Sequence, residues 1–66
     1  MQSWSLKTFV KKHGSYATGL VWSKSRQAVE QAVKNNRQIQ IVKIEGFYEV
    51  HESKLLNKIA IDKVNL

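Results

Sequence analysis

Four side chains that can form directed hydrogen bonds recur on one side of a helical stretch near the middle of the chain. Within SRQAVEQAVKNN, residues 25–36, they are Arg26, Gln27, Glu30 and Gln31. Arginine presents a planar fork of donors, glutamine a donor beside an acceptor, and glutamate two acceptors. These groups can pair with base edges: arginine with guanine, glutamine with adenine and glutamate with cytosine.

The pattern around these residues predicts an amphipathic helix. At about 100° per residue, the small apolar residues share one arc and the hydrogen-bonding residues share the opposite one. The apolar arc holds Ala28, Val29, Ala32 and Val33. Small side chains let the helix lie close to a neighbour, but the polar arc alone could be a simple solvated surface.

The charge of the whole chain favours a function for that polar arc. The 66 residues include 11 Lys and Arg but 5 Asp and Glu, which gives a formal net charge of +6. A strongly basic small domain indicates a polyanionic partner, most often nucleic acid, with an anionic membrane as the lesser alternative. Because the charges are spread along the chain, we expect a folded basic surface rather than a disordered arm.

Other kinds of site find little support. The chain has no cysteine, and its two histidines, His13 and His51, match no metal-ligand spacing. No nucleophile with a neighbouring base and no pair of carboxylates is apparent, so we expect no enzyme, metal, cofactor or small-molecule ligand. A chain this short buries only about 60% of its unfolded surface, which favours self-association.

Two short helices are predicted before the central one. The first spans about residues 4–14, with Ser5 as its N-cap and Gly14 at its left-handed exit. Ser15 is expected to cap a second helix over 16–22. Gly19 inside that helix suggests close approach by another helix, and Trp22 is expected in the core.

Strands are predicted after the third helix, which Ser25 caps and an Asn35–Asn36 exit ends. From residue 37 the apolar period changes to two, and Glu45-Gly46 marks a hairpin turn with a positive φ at Gly46. This register sets Ile41 opposite Val50. The predicted core face consists of Ile39, Ile41, Tyr48 and Val50, and the apolar residues Leu55, Leu56, Ile59 and Ile61 need either this core or another chain.

The predicted fold class is α+β: three short helices containing a helix-turn-helix, followed by a C-terminal β-hairpin. We expect one domain over residues 1–56 and a C-terminal tail over 57–66. No apolar run approaches the length of a membrane span, and the N-terminus lacks a signal-peptide core, so we expect a cytoplasmic protein without a membrane partner.

Over about residues 3–56 the sequence resembles the Cro repressors of lambdoid bacteriophages. The matching segments are SLKTFVKKHG, then SYATGLVWSKSRQAVEQAV as the helix-turn-helix, then NNRQIQIV and YEVHESKLL. The chain departs from that family at Ser23 and Lys24 in the turn, at Gly19, and at Leu56 in the dimer strand. The resemblance implies a dimeric, sequence-specific repressor that binds operator half-sites in double-stranded DNA.

The resemblance also implies roles for individual residues. Base edges would be contacted by Arg26, Gln27, Glu30 and Gln31. Phosphates would be held by Lys12, Ser15, Tyr16, Ser25, Lys34, Arg37 and Lys54. The homodimer interface would include Glu52, Ser53, Leu55 and Leu56.

Several alternatives stay open at this level. Glu30 could simply pair with Lys34, four residues further along the helix. Lys54 could be a solubilising charge on an edge strand. A DNA-bending excisionase or antitoxin with a similar motif, or an inhibitor that docks on an acidic protein, would also fit a small basic chain.

Overall fold

A computed structural model of the chain describes residues 1–64 and residue 66. In that part of the chain three α-helices pack on a four-stranded antiparallel sheet, which confirms the predicted α+β class. The elements are β1 (Gln2–Ser5), α1 (Leu6–His13), α2 (Ser15–Trp22), α3 (Arg26–Lys34), β2 (Gln40–Ile44), β3 (Phe47–His51), β4 (Leu55–Ala60) and a 3-10 turn (Ile61–Lys63). None of the described helices has the length and hydropathy to cross a membrane.

The strand β1 was not predicted, and it includes Trp4 and Ser5, the first two residues of the predicted first helix. β1 pairs with β2, with Trp4 opposite Ile41, and α1 starts only at Leu6. The Trp4 and Phe9 rings pack in a T-shaped arrangement with 5.3 Å between their centroids. The pairing gives hydrogen-bond partners to the backbone groups along one edge of β2. The four residues of β1 do not show this pairing in their own sequence.

Two of the three predicted serine caps are confirmed. Ser5 Oγ accepts the Thr8 amide at 3.2 Å, and Ser25 Oγ accepts the Ala28 amide at 3.1 Å. The prediction for Ser15 is wrong, because Ser15 is already the first residue of α2 and the helix has no side-chain cap. Gly14 precedes it with φ of 89°, the positive value expected of this glycine.

The central hairpin has the predicted register. Ile41 lies opposite Val50 and Ile44 opposite Phe47 across a two-residue turn. The positive φ of that turn, 48°, belongs to Glu45, so the prediction for Gly46 is wrong. The asparagine exit after α3 is confirmed at Asn36, whose φ is 54°.

The predicted tail is part of the same folded unit. The boundary between residues 56 and 57 falls inside β4, which pairs with β3 from Phe47↔Ala60 to His51↔Leu55 with an irregularity between Val50 and His51. Leu56, Ile59 and Ile61 pack against the core, and Val64 is buried in it. Leu56, Ile59 and Ile61 therefore find their partner within their own chain, whereas Leu55 stays 49% exposed.

One hydrophobic core lies between the helices and the sheet. It contains the predicted face and the predicted Trp22: Leu6, Phe9, Val21, Trp22, Val29, Ala32, Ile39, Ile41, Tyr48, Val50 and Val64. The buried polar side chain of Thr18 donates to the Gly14 carbonyl at 2.7 Å, so its burial leaves no unpaired hydroxyl.

Candidate nucleic-acid interface

The polar arc of α3 is exposed along its whole length. Val29 and Ala32 are buried on the side of α3 that faces the core. The four predicted base-contacting residues are exposed: Arg26, Gln27, Glu30 and Gln31. The Ser25 cap fixes where the helix begins, so Arg26 is its first residue. The structure thus brings these four side chains together on one helical surface.

A tight turn joins α2 to α3. Residues 23–25 separate the two helices, and Ser23 has a left-handed backbone with φ of 61°. A Cβ placed on Gly19 would lie 2.5 Å from the backbone carbonyl oxygen of Lys24. The close approach predicted at Gly19 therefore exists, but it comes from the backbone of this turn and not from another helix.

Glu30 has its ionic contact within α3. Its Oε2 lies 3.8 Å from Arg26 Nε, with both side chains more than half exposed. The alternative pairing with Lys34 is not the one found among the described residues. An exposed pair at this distance holds its partners weakly, which leaves both side chains able to turn towards another molecule.

Arg37, which was predicted to hold a phosphate, is paired with a carboxylate of its own chain and remains exposed. Its Nε donates to Glu52 Oε2 at 3.0 Å and its Nη2 donates to Glu52 Oε1 at 2.7 Å. The guanidinium also lies over the Trp22 ring, 5.4 Å from the centroid. The hydrogen bonds from Arg37 lower the pKa of Glu52, and the pKa of Arg37 is raised by the same bonds.

The remaining predicted phosphate contacts are distributed over several elements. Ser15 and Tyr16 open the uncapped α2, and Tyr16 is well exposed. Ser25 uses its oxygen as an acceptor for α3, which leaves its hydroxyl hydrogen available to a ligand. Lys34 and Lys54 are exposed, in the last turn of α3 and in the β3–β4 loop.

Lys12 is placed differently from the other predicted phosphate contacts. It lies at the end of α1 with its Nζ 5.6 Å from the centroid of the Trp4 ring. This contact directs the ammonium group towards β1, on an element that carries none of the other predicted contacts. Lys12 is therefore the weakest member of the predicted set.

The segment that was predicted to pair with a second copy, residues 52–56, forms the turn and the beginning of the second strand of a hairpin within one chain. Residues 52–54 form the loop between β3 and β4, so β3 has a strand on each side and its edges are occupied. Of the four predicted interface residues, Glu52 is bonded to Arg37, Ser53 lies in the loop, and Leu56 packs on its own core. Leu55 is 49% exposed at the start of β4, which is an edge strand of the described sheet.

The contacts of Asn57 were not predicted from the sequence. Its side chain points from β4 towards the α2–α3 turn, where Nδ2 donates to the Val21 carbonyl at 2.7 Å and lies 3.4 Å from Ser23 Oγ. The sequence does place this polar residue within the apolar segment 55–61. Its hydrogen-bond partner could not be predicted, because that partner depends on where β4 lies.

Comparison of the chain with protein-family models, with curated proteins and with solved structures gives no match. The function of the protein is therefore inferred from the side chains described above, from the charge of the chain and from the resemblance in its sequence.

Proposed function

We propose that the protein is a sequence-specific DNA-binding transcriptional repressor of a bacteriophage genetic switch, acting in the cytoplasm of a bacterial host. The observation that carries the proposal is the exposed arc of α3, where Arg26, Gln27, Glu30 and Gln31 stand together above a buried apolar face. Its function would be to occupy operators, with no chemical step.

Helix α3 has the properties of a recognition helix. A major groove about 12 Å wide admits an α-helix, and the N-terminal residues of a recognition helix contact base edges. Arg26 and Gln27 are the first two residues of α3. The three-residue connection to α2 supports an interpretation of α2 and α3 as a helix-turn-helix pair.

Phosphate contacts would flank this helix. The backbone amides at the start of α2 have no side-chain cap, and a helix N-terminus with such amides suits a phosphate. Tyr16, Ser25 and Lys34 would add a phenol, a hydroxyl and an ammonium group. The net charge of +6 would draw the protein to DNA of any sequence before a specific site is found.

A dimer would place two copies of α3 in successive grooves. Since β3 is paired on both sides, we propose that the dimer forms by antiparallel pairing of the outer edges of two β4 strands. Two half-sites would then lie about one helical turn apart, roughly 34–36 Å.

The test is a mobility shift with a random DNA duplex at two salt concentrations, followed by selection from a random-sequence duplex library. Binding that weakens steeply with salt and a selected two-fold symmetric sequence would support the proposal. Absence of binding at either salt concentration, together with capture of an acidic protein, would instead favour an inhibitor module.

Two double variants that leave the net charge unchanged distinguish contacts with bases from sequence-independent electrostatic attraction to DNA. Gln27→Ala with Gln31→Ala removes two hydrogen-bonding groups from the arc of α3, whereas Gln2→Ala with Gln38→Ala removes two exposed glutamines elsewhere. The first variant should lose preference for the selected sequence and keep its affinity for random DNA. Equal behaviour of the two variants would contradict the assignment of α3.

A further inference from the structure

Arg37 and Glu52 form the shortest ionic contact among the described residues. Two parallel hydrogen bonds, 3.0 and 2.7 Å long, join the guanidinium to the carboxylate. The side chains remain 42% and 32% exposed, so both groups can be reached from solvent. An arginine uses this same two-bond geometry to hold a phosphate.

We propose that Glu52 competes with DNA phosphate for Arg37 and so weakens the sequence-independent binding of this protein to DNA. This inference rests on the proposed DNA-binding function. In the free protein the carboxylate occupies the Nε–Nη2 edge of the guanidinium. A phosphate takes that edge only when Glu52 releases it.

The fold makes the exchange possible. Arg37 lies in the connection between α3 and β2, and Glu52 lies in the loop between β3 and β4, so neither side chain is held within a helix or strand. The Trp22 ring under the guanidinium keeps Arg37 in place while its anionic partner changes. A glutamate is charged at neutral pH, and the hydrogen bonds from Arg37 lower the pKa of Glu52 further, so the carboxylate can compete with phosphate under these conditions.

The replacement of Glu52 by a phosphate on Arg37 should be measurable in the salt dependence of DNA binding. A lysine or arginine that neutralises a phosphate releases condensed counterions, and each such contact adds about 0.9 to the slope of log K against log salt. While Glu52 keeps its two hydrogen bonds with Arg37, the guanidinium neutralises no phosphate and no condensed counterion is released at that position. Glu52 should therefore remove most of the contribution of Arg37 to the slope.

The experiment compares Glu52→Gln with Glu45→Gln in binding to a random DNA duplex over a range of salt concentrations. The two variants make the same change in net charge, and Glu45 and Glu52 lie just beyond opposite ends of β3. We expect Glu52→Gln to bind about two- to fivefold more tightly than Glu45→Gln at low salt, with a slope steeper by about one unit. The same comparison in an Arg37→Ala background should show no difference.

Three outcomes would overturn the inference. Equal affinity and slope for the two variants would show that Glu52 acts only through net charge. A gain in DNA affinity that persists in the Arg37→Ala background would assign the effect to another cation. A loss of DNA affinity in Glu52→Gln would show that Glu52 positions Arg37 for DNA. Circular dichroism of each variant checks that it is folded.

The failure of the underlying function gives a different result. If the unaltered protein binds no duplex at low salt, the proposed function and this inference both fall. If it binds and Glu52→Gln matches Glu45→Gln, only the competition between Glu52 and phosphate is excluded.

Discussion

The side-chain amide of Asn57 in β4 donates to the backbone carbonyl of Val21 near the end of α2, at 2.7 Å. The last carbonyls of a helix have no partner within the helix, so this bond satisfies a group that would otherwise need another donor. It also joins the strand that completes the sheet to the turn that leads into α3. The placement of α3 thus depends on β4.

Loss of this bond should destabilise the fold. Asn57→Ala leaves the Val21 carbonyl without its donor, and we expect the free energy of unfolding to fall by about 1–3 kcal/mol, measured by urea denaturation. Asn35→Ala, at an exposed position after α3, is the matched control and should change little. Equal effects of the two variants would show that the amide bond contributes nothing specific.

Gly19→Ala should be destabilising although alanine favours helices. The new Cβ would meet the Lys24 carbonyl oxygen at 2.5 Å, and relief of that contact requires the α2–α3 turn to shift. We expect a loss of about 1–3 kcal/mol in the free energy of unfolding. Gly46→Ala, where a Cβ meets nothing within 4 Å, is the control. A Gly19→Ala protein as stable as the unaltered one would refute the steric argument.

Arg26 should read at least one G·C pair in each half-site. Changing that pair should cost the unaltered protein about 1–3 kcal/mol of binding free energy, and should cost Arg26→Ala almost nothing. Binding to duplexes from the library selection measures both. Lys63→Ala removes one exposed charge elsewhere and should retain the full discrimination. If Arg26→Ala instead weakens every sequence equally, Arg26 holds a phosphate.

The stability of the protein should fall as the solution is acidified below about pH 6.5, in part because of His13. Burial against Phe9, then the nearby charges of Lys12 and Lys43, lower the pKa of His13 from its usual 6.5. The unfolded chain therefore takes up the proton first, and stability is lost as pH falls through 6.5 towards the folded pKa.

Urea denaturation at pH 7.5 and pH 5.5 tests this effect of His13. His13→Gln should show a smaller loss of stability between the two pH values than the unaltered protein. His51→Gln removes the other histidine and should retain the contribution of His13. A pH dependence unchanged in His13→Gln would assign the effect to other groups.

Self-association should run through the outer edge of β4. We expect sedimentation to show a concentration-dependent equilibrium between monomer and dimer, shifted towards monomer by Leu55→Asp, since a charge on the paired edge opposes association. Leu20→Asp changes a leucine of similar exposure, 42%, on α2 and serves as the control. A protein that stays monomeric at high concentration would refute dimerisation in the absence of DNA.

The parts of the fold that were predictable depend on neighbours in the sequence. The spacing of Val29 and Ala32 identified the buried face of α3, and the serine before it identified the cap. The two-residue turn at 45–46 fixed Ile41 opposite Val50, because a hairpin register follows from turn length. In each case the determining residues lie within one element or one turn of each other.

The parts that were missed depend on residues far apart in the chain. β1 is a strand because β2 lies beside it, and QSWS is too short to show this alone. Glu52 was expected at a dimer interface, but the β3–β4 loop brings it to Arg37. The candidate site was therefore predictable as a helical surface, whereas the contact between Arg37 and Glu52 was not.

The pairing of β1 with β2 has a consequence for the order of folding. It encloses all three helices between two adjacent strands, with Gln2 opposite Lys43. The β2–β3 and β3–β4 hairpins close short loops, whereas β1 must close a long one, and loop-closure entropy delays such contacts. β1 should dock last as the protein folds and detach first when it fluctuates, so its amide hydrogens should exchange with solvent sooner than those of β3.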